Sequence, residues 1–236
     1  PYQRPPLSKK FLSNETTTER LFIKPKNFYE SKNINVVLNT QVLSIDRKKQ
    51  HLLLSNGKSQ SYKKLVLATG SRPVKLKIPG HNLSGIHYLR NIDDVIKIRQ
   101  SLTSKMKIVI IGAGYIGLEA AAIFKKMNLE VSIVEMENRV MKRAVAPKIS
   151  DFYHKLHLRN GVKIFLNSCV ESFTGSSTVE TVKLNNNKII PADLIIIGVG
   201  IKPNIELAVD SGLQTNNGIL VNEYCRTTDN DIYAIG

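Results

Sequence analysis

Apolar residues fall into short runs separated by polar turns, and the spacing of these runs predicts a mixed α/β fold. Residues 108–111 and 131–134 are β-branched runs, each long enough for one buried strand. Between them, residues 118–127 are rich in alanine and predict a helix. Residues 194–197 are apolar throughout, which is typical of a central strand in a parallel sheet. We therefore expect a strand–helix–strand unit at the centre of the chain.

The rest of the chain alternates between strand and helix patterns. Asn56 and Gly57 predict the turn of an antiparallel meander, and Gly161 is expected to end a helix at its C-terminus. A short helix is expected to open near Ser8. The further predicted strands are 34–38, 42–46, 51–54, 65–67, 162–166, 170–173, 179–184, 218–221 and 232–235, and the further helices are 89–102 and 146–160.

A G-x-G-x-x-G sequence joins the first central strand to the helix. Gly112 would permit a tight turn, Gly114 would let the backbone approach a pyrophosphate, and Gly117 would let the helix pack closely on the strand. With Tyr115 and Ile116, the unpaired N–H groups at the helix start would hold the pyrophosphate. The alternative is a purely structural glycine turn. The flanking strand, the helix and an acid about 20 residues further on favour a dinucleotide.

That acid, Glu135, follows the second central strand. A carboxylate at this place accepts hydrogen bonds from a ribose 2′-hydroxyl and repels a 2′-phosphate, so the sequence predicts NADH over NADPH. A solvated strand-end acid is the alternative. Two further small-residue turns, residues 68–70 and 198–200, follow predicted strands, where open α/β sheets bind ligands. Residues 198–200 are expected to face the same crevice as Gly112, whereas residues 68–70 could be a plain turn.

Composition narrows the functional classes. No apolar run reaches the ~18 residues that cross a bilayer. Cys169 and Cys225 lie far apart without a C-x-x-C spacing, which argues against a redox disulfide and a metal site and fits a reducing cytoplasm. The net charge of +15 fits an acidic protein partner, a nucleic acid or a lysine-rich solvated surface.

Five motifs, RPPLSK (4–9), LVLATGSRP (65–73), GAGYIGLE (112–119), GVGIKPN (198–204) and TDNDIYAIG (228–236), occur in this order. Together they resemble the FAD-dependent pyridine nucleotide-disulfide oxidoreductase superfamily, in its branch of NADH-dependent ferredoxin and rubredoxin reductases related to apoptosis-inducing factor. The resemblance implies two Rossmann-like, three-layer α/β domains: an FAD domain from residues 1–103 and 211–236, with an NADH domain, residues 104–210, inserted between them. The family's first glycine fingerprint and its C-terminal domain are absent, so we expect a fragment.

The resemblance also implies roles for single residues. Lys9 near the flavin ring and Glu119 near the nicotinamide would be the catalytic pair, with Gly200 closing the other side of the nicotinamide. The remaining implied FAD contacts are Arg4 at a phosphate, the backbone of Val42 at the adenine, and Ala68, Thr69, Gly70 and Arg90 along the site. From the residues alone, Glu119 could be a dipole-stabilising acid and Arg90 a surface charge. Ser8 stands where the disulfide and peroxide reductases carry a cysteine, so those substrates are not expected.

The resemblance implies that NADH gives a hydride to FAD and that electrons then pass singly to a small acidic iron–sulfur or rubredoxin-type carrier. Two alternatives stay open: a redox sensor like apoptosis-inducing factor that binds a partner, and an NADH diaphorase without a dedicated partner. Trp is absent and no aromatic-basic stacking pattern occurs, so nucleic acid is not expected. We expect a cytoplasmic protein, and the full-length protein could form a homodimer.

Overall fold

The computed structural model describes residues 1–236 and divides them into two compact units: unit 1, Pro1–Lys24 with Pro73–Gly200, and unit 2, Pro25–Arg72 with Ile201–Gly236. The strands are β1 (Val42–Asp46), β2 (His51–Leu54), β3 (Ser59–Ser61), β4 (Leu65–Leu67), β5 (Ser71–Pro73), β6 (Ile86–Tyr88), β7 (Lys107–Ile111), β8 (Glu130–Val134), β9 (Lys163–Phe165), β10 (Val170–Thr174), β11 (Thr181–Leu184), β12 (Ile189–Pro191), β13 (Leu194–Ile197), β14 (Ile201–Pro203) and β15 (Ile232–Ala234). The α-helices are α1 (Lys26–Ser31), α2 (Ile92–Ser101), α3 (Tyr115–Lys126), α4 (Pro147–Arg159) and α5 (Glu206–Asp210), and 3₁₀ helices span Pro5–Ser8 and Glu19–Leu21.

Unit 1 is built on a five-stranded parallel sheet in the order β6-β13-β7-β8-β9. Alternate residues of β7 enter two separate cores, because side chains of a strand point to opposite faces. Ile108 and Ile110 pack with α3 residues such as Phe124. Val109 and Ile111 pack with residues of the antiparallel sheet β10-β11-β12. The sheet is therefore buried on both faces, as expected of parallel strands, and the predicted α/β class is confirmed.

The helix ends of unit 1 follow the local sequence. Asn91 caps α2 by accepting a hydrogen bond from the Asp94 N–H, and the Asp94 carboxylate accepts one in return from the Asn91 N–H. Pro147 occupies the first turn of α4, where its missing N–H has no helical partner to lose. Gly161 follows that helix with φ +77°, as the predicted C-terminal cap requires.

Unit 2 is smaller and more fragmented. It holds the antiparallel meander β1-β2-β3 and the parallel pair β4–β15; β5 pairs with β14. Its core contains only six buried hydrophobic residues: Ile45, Leu67, Ala208, Leu213, Ile232 and Ala234. The predicted antiparallel meander is confirmed for the strands at residues 42–46 and 51–54.

Two predicted strands are wrong. Residues 34–38 form no strand, and their apolar side chains are exposed, Leu38 at 71%. No neighbouring strand pairs with them, and left-handed residues at Asn33 and Asn39 flank the run. Residues 218–221 make only an isolated bridge, between Thr215 and Ile219. The backbone N–H and C=O groups of an exposed run without a pairing strand can form hydrogen bonds with water or side chains instead.

The helix expected to open near Ser8 is instead the 3₁₀ helix that ends there.

No helix of the chain is both long and apolar enough to cross a bilayer. The sequence predicts an FAD domain, residues 1–103 with 211–236, and an NADH domain, residues 104–210, and these domains are defined by the nucleotide that each one binds. The two compact units divide the chain by contacts alone. The domain assignment therefore stays a prediction.

Candidate dinucleotide-binding site

The turn from β7 into α3 is shaped by two glycines that have no room for a side chain. Gly112 has φ +102°, and a Cβ added there would lie 2.5 Å from the Gly198 carbonyl oxygen. A Cβ at Gly117 would lie 2.1 Å from the Gly112 carbonyl oxygen. Gly112 thus lets β7 approach the end of β13, and Gly117 lets α3 pack against the turn. Both were expected from the motif.

A cavity of about 370 Å³ opens beside this turn, at the carboxyl ends of β7, β8 and β13. A Cβ at Gly114 would meet no atom within 4 Å, so this part of the backbone faces open space. The cavity is lined by three groups of residues: Ile111 to Tyr115, Val134 to Glu137 with Met141 to Ala144, and Ser168 to Val170 with Leu76 and Gly198 to Gly200. The structure therefore brings Gly112, Gly114, Tyr115, Glu135 and Gly200 together, as the sequence predicts.

Glu135 holds its carboxylate at the glycine turn. One carboxylate oxygen accepts a hydrogen bond from the Ala113 N–H at 2.6 Å, and the other accepts one from the Glu137 N–H at 2.9 Å. Each carboxylate oxygen has more than one acceptor position, so the group can still accept from a ligand hydroxyl. The arrangement fits the expected contact with a ribose 2′-hydroxyl. It does not fit the alternative of a freely solvated acid.

Glu119 lies outside this cavity and makes a different set of contacts. Its Oε1 is 2.9 Å from the Lys9 Nζ, and its Oε2 accepts a hydrogen bond of 2.5 Å from the Ser8 hydroxyl. Ser8 is among the few buried polar residues of the chain. No acid lies in the first turn of α3, so the helix dipole does not account for Glu119. The two residues predicted to be catalytic are thus in direct contact, although 110 positions (119 − 9) separate them.

Two of the predicted FAD contacts, Arg4 and Arg90, belong to unit 1 and are near enough for their charges to interact. Burial, followed by the charge of Arg4, lowers the pKa of the Arg90 guanidinium. Two arginines whose charges interact create a local positive charge, which suits a phosphate. Arg90 also directly precedes the α2 cap, and its N–H donates to the Asp94 carboxylate.

The other predicted FAD contacts lie in unit 2. Val42, Ala68 and Thr69 line one cavity of about 510 Å³, together with Asn204. The Thr69 hydroxyl donates to the Asn204 carbonyl at 2.6 Å, and the Asn204 side-chain amide donates to the Thr69 carbonyl at 2.9 Å. The Asn204 N–H donates to the carbonyl of Gly70, which is not itself among the lining residues.

Sequence reasoning missed three residues that the structure ties to these sites. Ser8 and Asn204 lie inside the motifs RPPLSK and GVGIKPN, but the sequence predicts no contact for either. Glu137 belongs to no recognised motif. Its N–H donates to the Glu135 carboxylate, and its own carboxylate pairs with Lys142 at the edge of the same cavity. Ile116 and Gly117 shape the turn without lining the cavity. No group of His, Cys, Asp and Glu in the chain could hold a metal ion, and both cysteines are free.

The parallel sheet, the glycine turn and the acid at the end of β8 define a dinucleotide-binding α/β protein. The chain belongs to the pyridine nucleotide-disulphide oxidoreductase family, whose sequence profile matches residues 1–236. This confirms the superfamily resemblance seen in the motifs.

Several reductases are similar to this chain. Rubredoxin-NAD(+) reductase from Pseudomonas putida is 39% identical over 237 residues, covering 100% of this chain and 62% of the relative. Rhodocoxin reductase from Rhodococcus erythropolis is also 39% identical over 237 residues, covering 100% of this chain and 56% of the relative. The crystal structure of a covalent putidaredoxin reductase–putidaredoxin complex matches with a TM-score of 0.96 and 40% identity, covering 100% of this chain and 58% of that chain. The chain thus spans 56–62% of the length of these relatives.

Proposed function

We propose that the protein is an NADH-dependent flavoprotein reductase that passes electrons through FAD to a small acidic iron–sulfur or rubredoxin-type carrier. The observation that carries the proposal is the single cavity lined by Gly112 to Tyr115, Glu135 and Gly200. A strand-end cavity with an open glycine backbone and a facing carboxylate fits NADH. Relatives named for rubredoxin and rhodocoxin, and a neighbour solved with putidaredoxin, support a protein carrier.

The residues present also fit FAD. Arg4 and Arg90 would hold its phosphates, and Lys9 would lie at the flavin ring. The family resemblance also implies FAD contacts for Val42, Ala68, Thr69 and Gly70, which belong to unit 2. When bound, FAD accepts a hydride and releases electrons one at a time. Lys9 would stabilise negative charge that develops on the reduced ring.

In this proposal the Lys9–Glu119 ion pair holds both side chains in place before the nucleotides bind. Glu119 lies two residues beyond the last glycine of the motif and would face the nicotinamide, with Gly200 on its other side. The hydroxyl of Ser8 fixes the second oxygen of that carboxylate, so the carboxylate has little freedom to rotate. A preorganised pair of this kind lowers the reorganisation needed during the reaction.

The experiment is a comparison of two electron acceptors with the FAD-reconstituted protein. NADH oxidation is followed with a rubredoxin-type carrier and with ferricyanide at increasing ionic strength. The +15 charge should attract an acidic carrier, so salt should slow electron transfer to the carrier but not to ferricyanide. Equal salt responses would count against docking by charge and favour a diaphorase. Retarded nucleic acid in a gel-shift assay with salt titration would favour the sensor alternative.

We also propose a cytoplasmic location for the protein and a homodimer for its full-length form. Both Cys169 and Cys225 are free thiols, which supports a reducing cytoplasm. The resemblance allows a homodimer of the full-length protein, and its mass in solution by light scattering tests this point.

A further inference from the structure

The cavity that contains Glu135 has opposite charges on its rim. Lys142 Nζ lies 2.7 Å from Glu137 Oε2, and a guanidinium nitrogen of Arg143 lies 3.8 Å from Glu137 Oε1. All three side chains line the same cavity as Glu135. The Glu137 side chain is only 26% exposed, so one carboxylate faces two cations in a partly enclosed place.

This arrangement is fixed by the loop that follows β8. The Arg139 guanidinium donates to the carbonyls of Val145 and Lys142, both at 2.9 Å. The Met141 N–H donates to the Ala113 carbonyl inside the glycine turn. Lys142 is thereby held beside the turn on which the pyrophosphate is expected.

Lysine and arginine in this position are the residues that would recognise a 2′-phosphate. NADP sites commonly use an arginine near the ribose for that purpose, and the phosphate brings about −1.5 to −2 charge at neutral pH. In this chain both cations are already paired with Glu137. The hydrogen bond from Lys142 lowers the pKa of the Glu137 carboxyl, so the acid is ionised at neutral pH and competes with any incoming phosphate.

We propose that Glu137 is a second determinant of NADH preference: it pairs with Lys142 and Arg143 and so keeps them from a 2′-phosphate. Glu135 acts at the ribose itself, whereas Glu137 acts through the cations of the rim. This inference rests on the proposed dinucleotide site. It predicts that the two cations needed to bind NADPH, Lys142 and Arg143, are already present but are neutralised by Glu137.

The test uses the 236-residue chain and two ligands, ADP-ribose and 2′-phospho-ADP-ribose, with affinities measured by titration calorimetry. Glu137→Gln keeps the shape of the side chain and removes its charge. We expect its affinity for the 2′-phosphorylated ligand to rise about three- to fivefold, the upper range for releasing a partly exposed ion pair. Its affinity for ADP-ribose should stay within about twofold. The double variant E137Q/K142M should lose most of the gain.

Glu171→Gln is the matched control. Glu171 is also an acid paired with a lysine, Lys183 at 3.2 Å, but neither residue lines the cavity. The same change in net charge there should leave the ratio of the two affinities unchanged. An equal gain in both variants would show a general charge effect and overturn the proposal.

An unchanged ratio in E137Q, with ADP-ribose still bound, would also overturn it. Failure of the unaltered chain to bind ADP-ribose would instead contradict the proposed function, so the two failures are distinguishable. Circular dichroism monitors folding, and Glu137→Asn repeats the test should E137Q not fold. Loss of the fold in both variants would assign Glu137 a structural role and reject the specificity role.

Discussion

The two units hold their candidate sites in different ways. In unit 1 the cavity is shaped by backbone contacts within one continuous motif, where Gly112 and Gly117 leave no room for a side chain. In unit 2 the cavity is assembled from distant segments, and side-chain hydrogen bonds join Thr69 to Asn204. An ion pair of 2.8 Å joins Arg47 to Asp229 in the same unit.

The two sites should therefore be sensitive to different kinds of mutation. A site shaped by backbone packing fails when volume is added, since the neighbouring atoms cannot move. A site assembled by side chains loses stability when one partner is removed. Substitutions that add volume and substitutions that remove a partner therefore distinguish the two modes.

Adding a methyl group at Gly117 should cause the largest effect. The added Cβ would lie 2.1 Å from the Gly112 carbonyl, so Gly117→Ala must displace α3 or the turn. We expect a loss of about 3 kcal/mol in the free energy of unfolding, the upper range for overpacking, and loss of ADP-ribose binding. Thermal denaturation and calorimetry measure the two effects.

Gly114→Ala is the control for that variant. Its Cβ would meet no protein atom within 4 Å, so the melting temperature should not change. ADP-ribose should nevertheless bind about tenfold more weakly, because the methyl group stands where the pyrophosphate must approach. A variant as unstable as Gly117→Ala would contradict the account of the turn.

Neutralising Glu119 should slow the chemistry more than it weakens binding. In Glu119→Gln the Lys9 ammonium loses its 2.9 Å partner. We expect FAD reduction by NADH to slow about 10- to 100-fold, less than the loss of a hydrogen-bond donor aimed directly at a developing charge. Lys9→Met should have a similar effect, and the double variant should be little worse than either, because the residues act as a unit. Additive losses in stopped-flow measurements would show that the residues act separately.

Removing Arg47 should affect unit 2 selectively. The pKa of the Asp229 carboxyl is lowered first by the hydrogen bond from the Asp231 N–H and then by the one from Arg47. Arg47→Met is expected to cost about 1–2 kcal/mol of stability, between the values for exposed and buried pairs. ADP-ribose binding by unit 1 should be unchanged. Because the folded pKa is depressed, the contribution of Asp229 is present above about pH 4 and is lost as the pH falls further.

The smallest expected effect is the pH dependence of stability that two histidines of unit 1 cause. Burial lowers the pKa of both His87 and His157, so each imidazole is neutral in the folded chain. The unfolded chain binds protons below about pH 6.5, and stability should therefore fall as the pH decreases from 7 towards 5. His157→Asn should reduce the accompanying drop in melting temperature by several degrees. An equal drop in both proteins would show that His157 does not carry this dependence.

Local patterns predicted unit 1 better than unit 2. The turn at Gly112 depends on residues within one strand–helix–strand unit, so the spacing alone was informative. The contact between Lys9 and Glu119 joins distant segments, and only the family resemblance suggested separate roles for them. The error at residues 34–38 has the opposite cause, since an apolar run does not reveal whether a partner strand exists. Asn204 and Glu137 were missed because side-chain networks of this kind have no sequence signature.

The most direct test of the central claim is anaerobic stopped-flow mixing of the FAD-reconstituted protein with NADH or NADPH. We expect the visible flavin absorbance to bleach rapidly with NADH, far more slowly with NADPH, and more slowly with NADH when Glu119 is replaced by Gln. A flavin that NADH does not bleach, or that the Glu119 variant bleaches at the unaltered rate, would contradict the placement of the nicotinamide between Gly200 and Glu119.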